Sequence, residues 1–196
     1  MPPKYVTTVR ELIYWEYAKL IARAAGLGAN YGFIVSRYKK LVSGEMSWSS
    51  TVRDHEKEME KGNVCVYCSA TDKLSTDHII PISRAGVDQR IVALLDSADN
   101  CVQACRSCNS SKNNRDVFEW YGSDRTDEIP KLVLSKFLKL AYRIHETQGT
   151  LDLKDPNMDG VLDTYDLGVV ITSLITKISS QKTQAGPAES RKTRSR

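Results

Sequence analysis

The chain has 196 residues, 41% of them hydrophobic, which is enough for one ordinary domain or a small module with helical flanks. No apolar run approaches the roughly 18–20 residues that span a bilayer, and the first residues lack a secretory apolar core, so we expect a cytoplasmic protein with no membrane partner. The net charge is +4, but residues 177–196 hold six basic residues and one acidic residue. The rest of the chain is therefore close to neutral, which excludes any argument for a nucleic-acid surface from overall charge alone.

Helical periodicity marks both ends of the chain. A helix is predicted over 7–25, where Thr7 or Thr8 can cap the start and Gly26 ends it. A second helix is predicted over about 30–42, with an inner face made of Phe33, Ile34, Leu41 and Val42. Further helices are predicted over about 49–61, from Pro130 to about 147, and from Leu167 to Ile178.

Between these helices the pattern changes to short β-like segments, paired cysteines and polar turns, with a short helix expected within the stretch 87–98, which carries the apolar run 91–95. We therefore divide the chain into an N-terminal helical region (1–62), a central unit (63–122), a C-terminal helical region with an Asp-rich loop (123–180) and a tail (181–196). The small, polar and basic composition of the tail predicts disorder.

Four of the five cysteines form two Cys-x2-Cys pairs, Cys65 with Cys68 and Cys105 with Cys108. Disulfides are not expected in a reducing compartment, and two such pairs match the spacing of a structural zinc site. Four thiolates complete a tetrahedral ion and leave no open position, so any chemistry must lie elsewhere. The fifth, Cys101, is expected to act as a small apolar residue in a strand.

A second set of polar residues lies between and after the cysteine pairs. Asp77 and His78 precede Ile-Ile-Pro81, Asn100 follows, and Asn109 comes directly after Cys108. Each residue is a weak signal alone, because a lone histidine is more often structural. A neutral imidazole can take a proton from water at neutral pH, and a carboxylate with an amide oxygen suits a hard cation such as Mg²⁺.

This ordered set, Asp-His-Ile-x-Pro, a later Asn and Cys-x2-Cys-Asn-x2-Lys, resembles the HNH endonuclease family in its zinc-bound form. The resemblance covers about residues 65–121 and implies an α+β, mainly α, fold around a ββα-metal unit. The first strand would end near His78 and the second would run near 100–105. One helix would run from about Ser107 to about Glu119.

The resemblance also implies roles. His78 resembles the general base, Asp77 and Asn109 the ligands of a catalytic Mg²⁺ or Mn²⁺ ion, and Asn100 the residue that braces the histidine loop. Lys112, Arg115 and, more weakly, Arg84 are candidate DNA phosphate contacts. The alternative for Lys112 and Arg115 is a solvated helical face.

An Asp-rich loop, residues 155–166, separately resembles the calcium loop of EF-hand and dockerin modules. Its expected ligands are Asp155, Asn157, Asp159, the Val161 carbonyl and Asp166, with Gly160 at the sharp turn. An acidic surface turn is the alternative.

Two functions stay open. The first is a metal-dependent DNA endonuclease in a restriction, mobile-element or phage setting, acting as a homodimer if both strands are cut. The second is a non-catalytic, zinc-stabilised nucleic-acid-binding module, which would need the cysteines but not Asp77, His78 and Asn109 together. A cleavage assay with and without Mg²⁺ or Mn²⁺ separates them.

Overall fold

A computed structural model describes residues 2–47 and 63–169. The helices are α1 (Val9–Ala24), α2 (Tyr31–Val42), α3 (Gln89–Leu95), α4 (Arg106–Lys112), α5 (Val117–Tyr121), α6 (Lys131–Gln148) and α7 (Asp166–Val169). The strands are β1 (Leu74–His78) and β2 (Cys101–Cys105), and 3-10 turns cover Ile82–Ala85, Ala98–Asn100 and Ser123–Glu128. The expected α+β, mainly α, class is therefore confirmed.

The two long helices, α1 and α6, form the centre of the core. Thr8 caps α1 by accepting a hydrogen bond from the Glu11 backbone N–H, as the sequence predicts. Leu12 and Tyr17 of α1 are fully buried, and α1 packs on both α2 and α6. Phe137 of α6 meets Phe118 of α5 edge to face at 5.1 Å, which joins the helical core to the central unit.

The central unit consists of an antiparallel hairpin with a helix against it. β1 and β2 pair from Leu74 opposite Cys105 to His78 opposite Cys101, and α4 packs on both strands. This is the expected ββα arrangement, and its first strand ends at His78 as predicted. The short helix expected within the stretch 87–98 is α3.

One predicted helix is divided in two. The expected single helix from about Ser107 to Glu119 ends at Lys112, because Asn113 takes φ 52° and ψ −137°, outside the helical region. Asp116 is the N-cap of the second helix, α5; its carboxylate accepts the Phe118 and Glu119 N–H groups, and the Glu119 carboxylate accepts the Asp116 N–H. The hydrogen bonds of this capping box stabilise a new helix start at Asp116 more than one continuous helix would.

The inner face of α2 is also narrower than predicted. Ile34 and Leu41 are buried as expected, but Phe33 is half-buried and Val42 is 48% exposed, because α2 packs mainly on α1 and its last turn passes the edge of the core. The helix predicted over 49–61, most of the one starting at Leu167 and the tail lie outside the described residues.

Candidate metal centre and active site

The four paired cysteines come together. Their Sγ atoms all lie within 4.8 Å of one another, and those of Cys68 and Cys105 are 3.6 Å apart. A tight turn closes the first pair, since the Ser69 N–H donates to the Cys65 carbonyl at 2.8 Å with Ser69 at φ 63°. The second pair begins where β2 ends, and Cys105 is also the N-cap of α4. Sulfur atoms about 2.3 Å from one central ion would have this spacing, which supports a structural zinc.

The thiol pKa values within the cluster shift in opposite directions. Burial raises the pKa of the Cys65 thiol, but backbone N–H groups of Cys105, Cys68 and Tyr67 outweigh it and lower that pKa to about 7. Burial and the neighbouring cysteine side chains raise the pKa of Cys108 instead. Because close thiolates repel one another, a cation is needed to hold all four in the charged form that metals bind.

A separate cavity of about 480 Å³ lies at the end of β1, and Asp77, His78 and Asn109 all line it. His78 is the last residue of β1 and is half-buried. The Asn109 amide nitrogen donates to the Thr76 carbonyl and to Ser75 Oγ, both at 3.3 Å, which fixes the amide beside the strand. A further cavity of about 410 Å³, with Cys101 and Lys136 in its lining, holds none of these three residues.

Asn100 makes the contacts expected of a bracing residue. It is fully buried, its amide oxygen accepts the Ile80 N–H at 2.9 Å, and its amide nitrogen donates to the Ile80 carbonyl at 2.8 Å. The same nitrogen donates to the Leu95 carbonyl at 2.7 Å. The turn that follows His78 is thereby held to α3 and to the start of β2.

Residues 65–115 match the HNH endonuclease family model. The match covers about a quarter of the chain and includes both cysteine pairs together with Asp77, His78, Asn100 and Asn109. No curated protein and no solved structure gives a match to the chain. None of the helices in the described ranges has the length and hydropathy that a bilayer span requires.

Within the HNH unit, Lys112 lies inside the protein rather than on a phosphate-facing surface. It is 1% exposed, and its ammonium donates to Asp77 Oδ1 at 3.1 Å and to the His78 carbonyl at 2.6 Å. Burial lowers the pKa of this ammonium, while the Asp77 carboxylate opposes that effect. The phosphate contact expected of Lys112 is thus corrected, because the helical face that carries it packs on β1.

Arg84 is likewise engaged within the protein. Its guanidinium pairs with Glu119 and with Asp116, the latter at 3.4 Å, and donates to the Asn114 carbonyl at 3.0 Å. These bonds connect the turn after His78 to the start of α5, and the phosphate contact of Arg84 stays a prediction. Arg115 is exposed, although its guanidinium donates to the Ser111 carbonyl at 2.7 Å.

Tyr67 is the residue that sequence reasoning missed. Its hydroxyl donates to Asp77 Oδ2 at 2.7 Å. Burial and the Asp77 carboxylate raise the pKa of the phenol, which therefore stays protonated as a donor. Its one signal in the sequence is its place inside the first cysteine pair, Cys65-Val-Tyr-Cys68.

The donor set beside His78 fits a hard divalent ion. Asp77 and Asn109 offer a carboxylate and an amide oxygen to the same cavity, and both are ligands that Mg²⁺ accepts. Tyr67 and Lys112 take one acceptor position on each Asp77 oxygen, and a carboxylate has about four such positions. Room for a metal bond therefore remains.

The Asp-rich loop is internally hydrogen-bonded. Asp155 Oδ2 accepts the Gly160 N–H at 2.8 Å, and buried Asp166 accepts the N–H groups of Asn157 and Asp163. Burial and the Asp163 and Asp155 carboxylates raise the pKa of Asp166 to about 6, although backbone N–H groups lower it. In the described ranges the cysteine cluster is the one group of three or more His, Cys, Asp or Glu residues whose ligand atoms come within 4.8 Å.

We expect purified protein to contain one zinc ion per chain, measured by elemental analysis. Cys108→Ser should lose that zinc and unfold the HNH unit, because structural zinc supplies folding free energy directly. Cys101→Ser is the matched control, since Cys101 lies outside the cluster and should keep both zinc and fold. A Cys108→Ser variant that lacks zinc but melts at the same temperature as the parent would rule out a structural role for the zinc.

Proposed function

We propose that the chain is a metal-dependent DNA endonuclease that hydrolyses phosphodiester bonds through its HNH unit. The observation that carries the proposal is the cavity at the end of β1, which brings Asp77, His78 and Asn109 together next to a separate cysteine cluster. A non-catalytic zinc module requires the cluster but not this cavity. DNA as the substrate and a cytoplasmic location are parts of the proposal, as is a homodimer if both strands are cut.

In the proposed mechanism His78 is the general base. Within the described ranges no residue hydrogen-bonds its imidazole, which leaves the ring nitrogens available to a water molecule in the cavity. The imidazole accepts a proton from that water as the water oxygen bonds to phosphorus and the P–O3′ bond breaks, and the leaving 3′ oxygen takes a proton from solvent. Lys112 donates to the His78 carbonyl and Asn100 fixes Ile80, so the backbone that follows the imidazole is held.

Asp77 and Asn109 would hold the divalent ion, Mg²⁺ or Mn²⁺. When bound, such an ion would stabilise the negative charge that develops on the phosphoryl and leaving oxygens. Asp77 lies in β1 and Asn109 in α4, so the packing of the hairpin against the helix sets their separation. By resemblance to the family, the products would carry 5′-phosphate and 3′-hydroxyl ends.

We further propose that the Asp-rich loop binds Ca²⁺ through Asp155, Asn157, Asp159, the Val161 carbonyl and Asp166. The supporting observation is that Asp155 Oδ1 is buried without a hydrogen-bond partner among the described residues. A buried carboxylate oxygen with no partner is costly, and a cation would satisfy it. Binding would require the loop's carboxylates to approach one ion more closely, since among the described residues they do not form a group of three within 4.8 Å.

We expect the parent to cleave supercoiled DNA only when Mg²⁺ or Mn²⁺ is present. His78→Ala should lower the cleavage rate by about 10²–10⁴-fold, the usual contribution of a general base. Zinc content and thermal melting should stay at the parent values, because His78 lies outside the zinc site. Normal cleavage by His78→Ala would show that His78 is not the general base. A parent protein that binds DNA but never cleaves it would favour the non-catalytic module.

For the loop, we expect Ca²⁺ to raise the melting temperature of the His78→Ala protein. Binding at 100 times Kd contributes about 2.7 kcal/mol, and each kcal/mol raises Tm by about 2–4 °C for a chain of this size. Asp155→Asn should abolish the shift, whereas Asp72→Asn, which removes an exposed carboxylate outside the loop, should leave it intact. An unchanged melting temperature in Ca²⁺ would show that the loop is an acidic surface turn that does not bind calcium.

A further inference from the structure

We infer that Tyr67 is a positioning residue for Asp77, through which the zinc turn controls the geometry of the catalytic ion site. The inference rests on the proposed function only in that Asp77 is taken as a ligand of the divalent ion. It assigns to Tyr67 no contact with substrate or metal. Its action is to fix the direction in which the Asp77 carboxylate faces the cavity.

Asp77 is held by one donor on each of its carboxylate oxygens. The Tyr67 hydroxyl donates to Oδ2 at 2.7 Å and the Lys112 ammonium to Oδ1 at 3.1 Å. Asp77 is 3% exposed and lies within the hairpin, so little water competes with these donors. Rotating the carboxylate would break both bonds at once, and a single orientation is therefore strongly favoured.

Tyr67 can serve this purpose because its own ring is held in place. The ring meets Trp120 edge to face, with centroids 4.9 Å apart and planes at 89°. The Trp120 indole N–H in turn donates to Ser111 Oγ in α4 at 3.2 Å. The hydroxyl that reaches Asp77 thus comes from a packed side chain, not from a mobile surface group.

The position of Tyr67 in the chain makes the zinc site part of the catalytic site. Tyr67 lies between Cys65 and Cys68, so the metal that closes this turn also sets the path of the tyrosine. The second cysteine pair has a similar relation to the other ligand, because Asn109 directly follows Cys108. One pair therefore orients Asp77 through Tyr67, and the other carries Asn109 on its own helix.

The effect of a positioning residue differs from that of a packing residue. Partners that orient a metal ligand typically contribute 10–100-fold to metal affinity or activity, while the ligand itself remains in place. A tyrosine that only fills space would be replaced by phenylalanine without any change in metal binding. The hydroxyl alone distinguishes the two roles.

The test compares Mn²⁺ binding to the zinc-loaded full chain in the parent, Tyr67→Phe and Tyr121→Phe, measured by electron paramagnetic resonance without DNA. Asp77→Ala identifies which bound Mn²⁺ belongs to the catalytic site, since the Asp-rich loop could also bind the ion. Tyr121 is the matched control, because its ring also contacts Trp120, at 5.1 Å, and none of its hydrogen bonds reaches Asp77.

We expect Tyr67→Phe to bind Mn²⁺ at the Asp77 site about 10–100-fold more weakly than the parent, with unchanged zinc content and melting temperature. Tyr121→Phe should bind like the parent. With DNA present, Tyr67→Phe should need correspondingly more Mn²⁺ for half-maximal cleavage, and saturating Mn²⁺ should restore most of kcat.

Parent-like Mn²⁺ affinity in Tyr67→Phe would overturn the inference, and so would Mn²⁺ binding that Asp77→Ala does not change. Loss of zinc or of the fold in Tyr67→Phe would assign the hydroxyl to folding and would overturn it as well. A parent that binds Mn²⁺ at Asp77 but cleaves no DNA would reject the proposed nuclease, while the weaker binding of Tyr67→Phe would still support the positioning role.

Discussion

The four-cysteine cluster is the constraint on which the HNH unit depends. The ββα part of the unit consists of two strands of five residues and a seven-residue helix against them, and an isolated two-stranded hairpin is marginally stable at best. The apolar cluster around the cysteines has only Cys65, Ala104 and Cys105 as its buried members. A metal bound by all four thiolates would supply the missing stability, joining the first cysteine turn, the end of β2 and the start of α4 at one point.

The same geometry separates structural from catalytic chemistry. A closed four-thiolate ion has no open coordination position, so the proposed hydrolysis uses the neighbouring cavity. Support reaches that cavity from several directions: Tyr67 from the zinc turn, Lys112 from α4, and Asn100 from the start of β2. These contacts hold Asp77 and His78 in defined positions, next to Ile79 and Ile80, which are buried in the main hydrophobic core.

The cations nearest the cavity are used inside the protein. Lys112 neutralises Asp77, and Arg84 pairs with Asp116 and Glu119, so both cations have acidic partners inside the protein. Removing one partner of a buried pair is costly because the other charge remains uncompensated, which favours keeping these contacts when DNA binds. In the proposed complex, phosphate attraction would come from more exposed groups such as Arg115.

Features encoded by local patterns could be predicted from the sequence. The Thr8 cap, the start of α6 after Pro130 and the end of β1 at His78 each depend on neighbouring residues, and each lies where expected. The HNH assignment likewise depends on ordered motifs. The proposed roles of the site residues remain for experiment to test.

The features that could not be predicted from the sequence depend on residues far apart in the chain or on competition between neighbouring elements. Lys112 reads as one of several basic residues on a helix, and only its contact with Asp77, 35 positions earlier, explains its burial. Tyr67 gives no local sign that its hydroxyl reaches Asp77. The break after Lys112 follows from competition between two adjacent helices, whose outcome depends on the capping box at Asp116.

Zinc K-edge X-ray absorption of the full chain tests the account most directly, because it reports the identity and number of ligands around the metal. The account predicts four sulfur ligands at about 2.3 Å and no nitrogen or oxygen ligand, both with and without bound DNA. A shell with fewer than four sulfurs, or with a bound water or imidazole, would contradict a closed structural centre. It would also remove the separation between the zinc site and the site that contains His78.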